Sequence, residues 1–375
     1  MKKVLLSLFA VITAVTFSCI PAQAHKVKSF GATAVAFETG RVMQDSSDLY
    51  FVSLQPRFKV GALTLGVEFN QYMDEDLSMR DGGNDSIILG MAEYKRGDRL
   101  KLYYGEIENI TFGSGFIVSN YRTNIKGNVP LSRQKGLTVD IANKDSYVKF
   151  FGTKTDLYGL RGVHKFGRFT LGSTVVSDSD PDFEIFGIDG EMSFWKNSDD
   201  IKLYGELAGI KDYGSGFAVG AMASPHKDFD AKIEVRDYDS DFAPGIVDEH
   251  YEAANVFNRL NTTSGRMYGI FSCVDLFSQR DVSASISYER YEDMKPRVTL
   301  KAKAKITSRV RGELFMAEQN FVPKNGLVAE NTLARATAYV KFSRKGELIL
   351  DYYKAYDDVP AKLDSLTFKV KYSLF

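Results

Sequence analysis

The feature that most constrains this chain is an alternation of apolar and polar side chains with a period of two, returning along almost its whole length. In residues 297–307, Val298, Leu300, Ala302, Ala304 and Ile306 alternate with Arg297, Thr299, Lys301, Lys303, Lys305 and Thr307. In the last segment, Leu366, Phe368, Val370, Tyr372 and Leu374 alternate with Thr367, Lys369, Lys371 and Ser373. Leu63, Leu65, Val67 and Phe69 do the same against Thr64, Gly66, Glu68 and Asn70, as do Val282, Ala284, Ile286 and Tyr288 against the intervening serines and Glu289. A helix would mix these two sets around its circumference, whereas a strand sends them to opposite faces. The pattern predicts roughly twenty strands, the first near 27–38 and the last near 363–375.

Two kinds of connection separate the strands. Short polar ones fall at Lys59–Gly61, Lys95–Asp98, Asn143–Asp145, Phe166–Gly167, Lys196–Asp200, Ser278–Asp281 and Arg344–Gly346. They take turns with connections of variable length, the longest at 109–135 and 241–265. The first of these holds a string, KLYYGEIENITFGSGFIV from residue 101, that is echoed by KLYGELAGIKDYGSGFAV from residue 202. The first GSGF falls inside a long connection and the second at the start of a strand, so Gly113–Ser119 reads as an extra strand or as a loop segment folded inward. In the second long connection, IVDEHYEAANVFNRL has helical character and reads as a short plug or cap helix.

Composition narrows the function. The chain has 48 Lys plus Arg and 48 Asp plus Glu, which excludes a generic nucleic-acid binder with its basic excess. Its 2 cysteines exclude a disulfide scaffold or a cysteine-rich metal domain. Residues 1–24 read as a secretory signal peptide: Lys2 and Lys3, an apolar run from Val4 to Ile20, then Ala22-Gln23-Ala24 as a small-x-small cleavage site. Cleavage there makes residues 25–375 the mature chain, a single domain. Beyond residue 24 no stretch approaches the ~18 apolar residues of a spanning helix.

Alternating strands of about ten residues suit a tilted crossing of a bilayer, and tight turns taking turns with longer loops suit a closed barrel. Closure removes sheet edges that lipid cannot satisfy. A soluble β-sandwich also alternates and is the competing architecture. On these strands, this turn pattern and the terminal segment LTFKVKYSLF ending in Phe375, the chain resembles a Gram-negative outer-membrane β-barrel of the porin type. It departs from that family at Ser373, which stands where an aromatic in phase with the terminal Phe is usual. The resemblance implies an all-β, up-and-down antiparallel barrel of 16–20 strands, with twenty the best count. It implies passive diffusion of small hydrophilic solutes across the outer membrane.

If the polar phase faces the lumen, the pore carries a basic wall of Arg297, Lys301, Lys303, Lys305, Arg335, Lys341, Lys369 and Lys371. Glu68, Glu206, Glu234 and Asp351 supply acids. The basic excess predicts a preference for anions, although the same charges also serve as stabilising cross-strand ladders. Phe116, Arg122, Lys126 and Arg133 mark 109–135 as a candidate constriction loop. Asp178, Asp180 and Asp182 lack the glycine and distal glutamate of a calcium loop, so no metal, cofactor or catalytic residue is expected. Expected partners are outer-membrane lipid, lipopolysaccharide, the secretion and barrel-assembly machinery, and the solutes. The oligomeric state stays open, because lipid-facing and subunit-facing stripes look alike. The alternative reading is a structural or adhesin barrel acting through its external loops, and less so a barrel enzyme.

Overall fold

The computed structural model describes residues 31–44, 47–74, 87–123, 134–179, 182–195, 198–226, 228–239, 241–248, 251, 266–277, 282–292, 296–318, 332–354 and 365–373. The expected signal peptide, residues 1–24, lies outside them, as do Lys126, Arg133, Asp180 and His250. The first five strands are β1 (Gly31–Gln44), β2 (Ser47–Val60), β3 (Leu63–Met73), β4 (Ile88–Arg96) and β5 (Leu100–Gly105). Two short strands, β6 (Ile110–Phe112) and β7 (Val118–Tyr121), intervene before β8 (Gly136–Ala142), β9 (Ser146–Thr153), β10 (Leu157–Phe166), β11 (Phe169–Ser179) and β12 (Asp182–Trp195). Then come β13 (Ser198–Ile210), β14 (Gly214–His226), β15 (Phe229–Tyr238), the very short β16 (Val247–Asp248), β17 (Met267–Phe277) and β18 (Val282–Tyr291). The last are β19 (Arg297–Lys305), β20 (Val310–Glu318), β21 (Thr332–Lys341), β22 (Gly346–Lys354) and β23 (Ser365–Ser373).

Twenty of these strands form one antiparallel sheet in sequence order, and β6, β7 and β16 form a separate sheet of three. The large sheet closes on itself: β23 pairs antiparallel with β1, from Ala36 opposite Ser373 to Met43 opposite Leu366. Every barrel strand therefore has a hydrogen-bonded neighbour on both sides, which meets the requirement that lipid imposes on the backbone. Tight turns gather at one end; Gly97 and Gly167 hold φ of 56° and 64° there, a left-handed conformation that side chains resist. The connections that hold the longest segments gather at the other, the long-loop end.

Side-chain parity sets the two faces. On β12–β15 the outward residues Ile188, Leu207, Val219 and Ile233 are 59%, 57%, 57% and 57% exposed. On the same strands the inward residues Glu206, Glu234 and Arg236 are buried. A continuous belt of exposed aliphatic and aromatic side chains exceeds what a water-soluble protein presents. It is the lipid-facing surface of a transmembrane barrel.

Two local expectations are corrected and one open alternative is resolved. β1 continues through Gln44 rather than ending near residue 38, with Gly40 facing the Phe51 ring, where a Cβ would lie 2.7 Å from it. The alternatives left open for 109–135 resolve into two strands, β6 and β7, folded inward around the turn at Gly113–Phe116. Val247 and Asp248, read as part of a helix, form strand β16, and among the described residues there is no helix.

Candidate functional site: the lumen and its inner sheet

The lumen is built by two chain excursions that enter from the long-loop end. The first leaves β5, runs through β6 and β7, and returns at Lys135 to start β8. The second leaves β15 and carries β16. β6 and β7 pair antiparallel, Ile110 with Tyr121 and Phe112 with Val118. β16 lies parallel to β7, with Val247 opposite Val118 and Asp248 opposite Ser119. The excursions are further joined by Gly245 N–H donating to Phe116 O at 2.7 Å and Val247 N–H to Ile117 O at 3.3 Å.

This inner sheet packs into an apolar cluster, with Thr111 of β6 left exposed. Ile110, Phe112, Phe116, Ile117, Val118 and Tyr121 are all buried, as are Phe242, Ile246 and Val247 of the second excursion. They pack on inward residues near the long-loop ends of β9–β18, among them Phe151, Leu157, Val176, Ile185, Ala208, Tyr238 and Tyr291. Phe112 and Tyr121 stand 5.5 Å and 5.2 Å from the Phe151 ring, and Phe116 stands 5.2 Å from Phe242. Gly187 leaves the space that Ile117 fills: a Cβ there would lie 2.3 Å from Ile117 Cδ1. Each large apolar side chain buried in this way contributes about 1.5–3 kcal/mol.

Below this apolar layer the wall is ionic, and the tip of the first excursion is stapled to it. Ser114 donates its N–H and its hydroxyl to Glu206 Oε2 at 2.9 and 2.6 Å. Lys232 Nζ donates to Ser114 O at 2.6 Å and pairs with Glu234. Arg236 bridges Glu234 at 2.6 Å and Glu289 at 2.7 Å, with its guanidinium over the rings of Phe271 and Phe116 at 4.2 and 5.7 Å. Tyr204 donates to Glu234 at 2.7 Å. Nearby, Arg161 makes a two-pronged pair with Asp189 at 2.5 and 2.7 Å. Each buried charge thus has an opposite charge or a fixed donor, as low-dielectric surroundings require.

The second GSGF of the sequence echo starts β14 and repeats this local chemistry. Ser215 donates its N–H and hydroxyl to Asp239 Oδ2 at 3.2 and 2.7 Å. The first GSGF is the turn between β6 and β7, with Gly113 and Gly115 at φ of 59° and 88°. So the two copies differ in fold position but share a serine bracket around one carboxylate.

The inner sheet fills one side of the lumen and leaves a cavity of about 640 Å³ on the other, against β1–β5, β8, β9 and β21–β23. Its charged lining comprises Glu38, Glu68, Glu106, Glu108 and Asp140 with Arg57, Lys101, Lys135, Lys149, Lys369 and Lys371. Tyr103, Tyr339, Met91, Ile107 and Ile349 supply the uncharged surface. Lys135 lies 2.8 Å from Glu68 and 3.7 Å from Glu106, tying both ends of the first excursion to β3. Thr123 closes the neck above it, accepting from Ile107 N–H at 2.9 Å and donating to Gln134 O at 2.8 Å. On the β1–β23 seam, Lys369 and Lys371 share one carboxylate, Glu38, at 3.3 and 3.8 Å.

The residues singled out from sequence are spread over several environments. Glu68, Lys369 and Lys371 line the cavity. Arg335 binds Asp351 at 3.0 Å, with Thr337 donating to the same carboxylate, and Lys303 lies 3.2 Å from Glu313. Lys301 stands 5.6 Å from the Phe315 ring, Arg297 is registered opposite Glu289, and Lys305 and Lys341 are exposed at the short-turn ends of β19 and β21. Glu206 and Glu234 hold the inner sheet rather than open water. Phe116 is at the heart of the apolar cluster, and Arg122 follows β7 half-buried. Asp178, which lacked the surroundings of a calcium loop, is buried and accepts from the Tyr251 hydroxyl at 2.5 Å.

Sequence reasoning missed Glu38, Ser114, Arg161, Asp189, Lys232 and Arg236. The inward phase of β9–β18 mixes apolar residues, which meet the inner sheet, with charged ones. Leu157 and Val163 flank Arg161 on the same face of β10, which blurs the polar phase that would have marked it.

No family model matches the chain, and none of the curated proteins does. Solved barrels do. OpdK of Pseudomonas aeruginosa, solved with vanillate, aligns at 8% identity and TM-score 0.43, covering 91% of this chain and 97% of that one. OccK3 (OpdO) of the same organism aligns at 11% identity and TM-score 0.41, covering 91% and 94%. Wzi of Escherichia coli, a carbohydrate-binding β-barrel of group 1 capsule assembly, aligns at 9% identity and TM-score 0.39, covering 90% and 83%. At such identities these likenesses assign no activity. The chain's own strand pairing, closed through β1 and β23 and wrapped in an apolar belt, makes it an all-β outer-membrane barrel of twenty strands.

Proposed function

We propose that this barrel is a channel for passive diffusion of small hydrophilic solutes. The observation that carries the reading is the charged cavity left open beside the inner sheet. A twenty-stranded barrel without internal structure would leave a wide lumen. Here the two excursions confine passage to the crescent between Glu106–Ile110 and the wall formed by β1–β5 and β21–β23. Solutes there meet opposed charges in place of their hydration water, which admits polar molecules and turns away apolar ones. The chain reaches the outer membrane, on this reading, by secretion with cleavage after Ala24.

Anion preference is the finer part of the proposal. Lys369 and Lys371 share Glu38, and Lys95 and Lys101 share Glu93 at 2.9 and 3.8 Å, so both sites keep an excess positive charge. The Glu68–Lys135–Glu106 group offsets part of it.

The test is single-channel recording of the mature chain, refolded and inserted in a planar bilayer. Discrete conductance steps, with a reversal potential under a salt gradient displaced toward the anion, are the expected result. A heat-modifiable, folded barrel that never conducts would overturn the channel. Steps with a cation-side reversal potential would leave the channel and remove the anion preference.

A further inference from the structure

Charge is distributed unevenly along the barrel axis. At the short-turn end, Arg96, Arg99, Lys144, Arg168, Arg309 and Arg344 are exposed in, or at the lip of, the turns β4–β5, β8–β9, β10–β11, β19–β20 and β21–β22. Among the described turn residues the only acids are Asp98, Asp145 and Asp228. None of the six cations has a carboxylate within 4.0 Å among the described residues. The cations inside the lumen behave differently: Lys135, Arg161, Arg236, Arg335 and Lys369 each lie on a carboxylate. Among the described residues of the opposite end, Lys154 and Lys211 have Asp156 and Asp212 within two positions in sequence, and Arg266 pairs with Asp237 at 2.6 Å.

The short-turn cations do not simply face water. Outward apolar side chains stand next to them, with Phe166, Phe169, Ile306 and Phe342 at 57%, 50%, 71% and 55% exposure. The Arg168 guanidinium lies 5.6 Å from the Phe169 ring. An apolar belt that ends in bulky side chains and is capped by unpaired cations matches the boundary between acyl chains and headgroups. Every phospholipid offers a phosphate to such a cation. A zwitterionic headgroup also brings a positive charge, which the collar would repel, whereas an anionic one brings net negative charge only.

We propose that the short-turn rim is a collar that binds anionic phospholipid headgroups in the leaflet where it sits. The proposal rests on the transmembrane barrel and is independent of channel activity. The collar is assembled from turns distant in sequence, brought to one level by the closure of the sheet. Near a surface, each cation is worth about a fivefold preference for anionic lipid at low salt.

The test uses the full mature chain in vesicles. Phe166→Trp in a Trp195→Phe background places the sole tryptophan beside Arg168. Its quenching is compared between brominated phosphatidylglycerol and brominated phosphatidylcholine, each diluted in phosphatidylcholine. The expected result is a severalfold stronger apparent association of phosphatidylglycerol at low salt. It should collapse at about 0.5 M salt, where the Debye length is only a few ångströms. It should fall by at least fivefold in Arg168→Gln/Arg309→Gln/Arg344→Gln. Equal quenching by both lipids at low salt overturns the collar, and so does a preference unchanged in the triple variant. Should that variant fail to insert, the salt series on the inserted parent decides alone: a preference that survives about 0.5 M salt overturns the proposal.

Discussion

Phe116→Ala separates the barrel from what fills it. Phe116 is fully buried, stacked obliquely on Phe242 and lying under the Arg236 guanidinium. Removing a buried phenyl ring costs about 3–5 kcal/mol, including the cavity left behind. The inner sheet has little with which to offset this loss. Its strands are 3, 4 and 2 residues long, and only a few backbone hydrogen bonds join β16 to β7. The barrel wall makes none of its own ladder bonds through Phe116. The loss therefore falls on the docking of the excursions and raises the population of an undocked lumen roughly a hundred- to several-thousandfold, at about 1.4 kcal/mol per tenfold. Single-channel recording should show larger or flickering steps than the parent, and liposome swelling should admit larger sugars. Gel mobility should still show the heat-modifiable folded barrel. A folded variant with the parent's conductance, noise and size limit would refute the reasoning, because the inner sheet would then not be what narrows the route.

Other substitutions test separate parts of the account. Gly187→Val puts methyl groups where Ile117 Cδ1 lies and should widen the pore as Phe116→Ala does, while the mutation itself sits on the barrel wall; conductance identical to the parent would count against the packing. Lys369→Gln with Lys371→Gln leaves Glu38 without its lysines and should move the reversal potential toward cations, whereas Glu38→Gln should move it toward anions; shifts of the same sign in both would remove these residues from the ion route. Ile233→Lys buries a cation in the lipid-facing belt and should destabilise the folded barrel by about 2–4 kcal/mol in a denaturant refolding titration into vesicles; an unchanged midpoint would mean that this face does not meet lipid.

How much was legible in the sequence depends on whether a segment has two different environments. β3, β18, β19 and β23 have lipid on one side and a wet lumen on the other, so their residues alternate and the barrel can be read directly. In the segment 106–123, Ile110, Phe112, Val118 and Tyr121 are buried in the apolar cluster, while Thr111 is exposed and Ser119 and Asn120 are half-buried. Strands of three and four residues are too short to show a period, and the apolar Phe116 and Ile117 between them add no alternation. The ionic wall of β10–β15 is hidden for another reason: apolar and charged residues share the inward phase.

By itself, then, the sequence narrowed the count to 16–20 strands with twenty the best, and set the up-and-down order and the lipid face of the clearly alternating strands, because these follow from local alternation and turn chemistry. It also marked Glu68, Asp351, Lys369 and Lys371 as lumenal. Only the tertiary structure decided which charge meets which. Glu38 faces Lys369 because the first strand pairs with the last, and Ser114 reaches Glu206 because an excursion folds back across the lumen. Val118 pairs with Val247 across a separation that no local pattern spans. Such contacts depend on closure and register, which are properties of the whole sheet rather than of any segment.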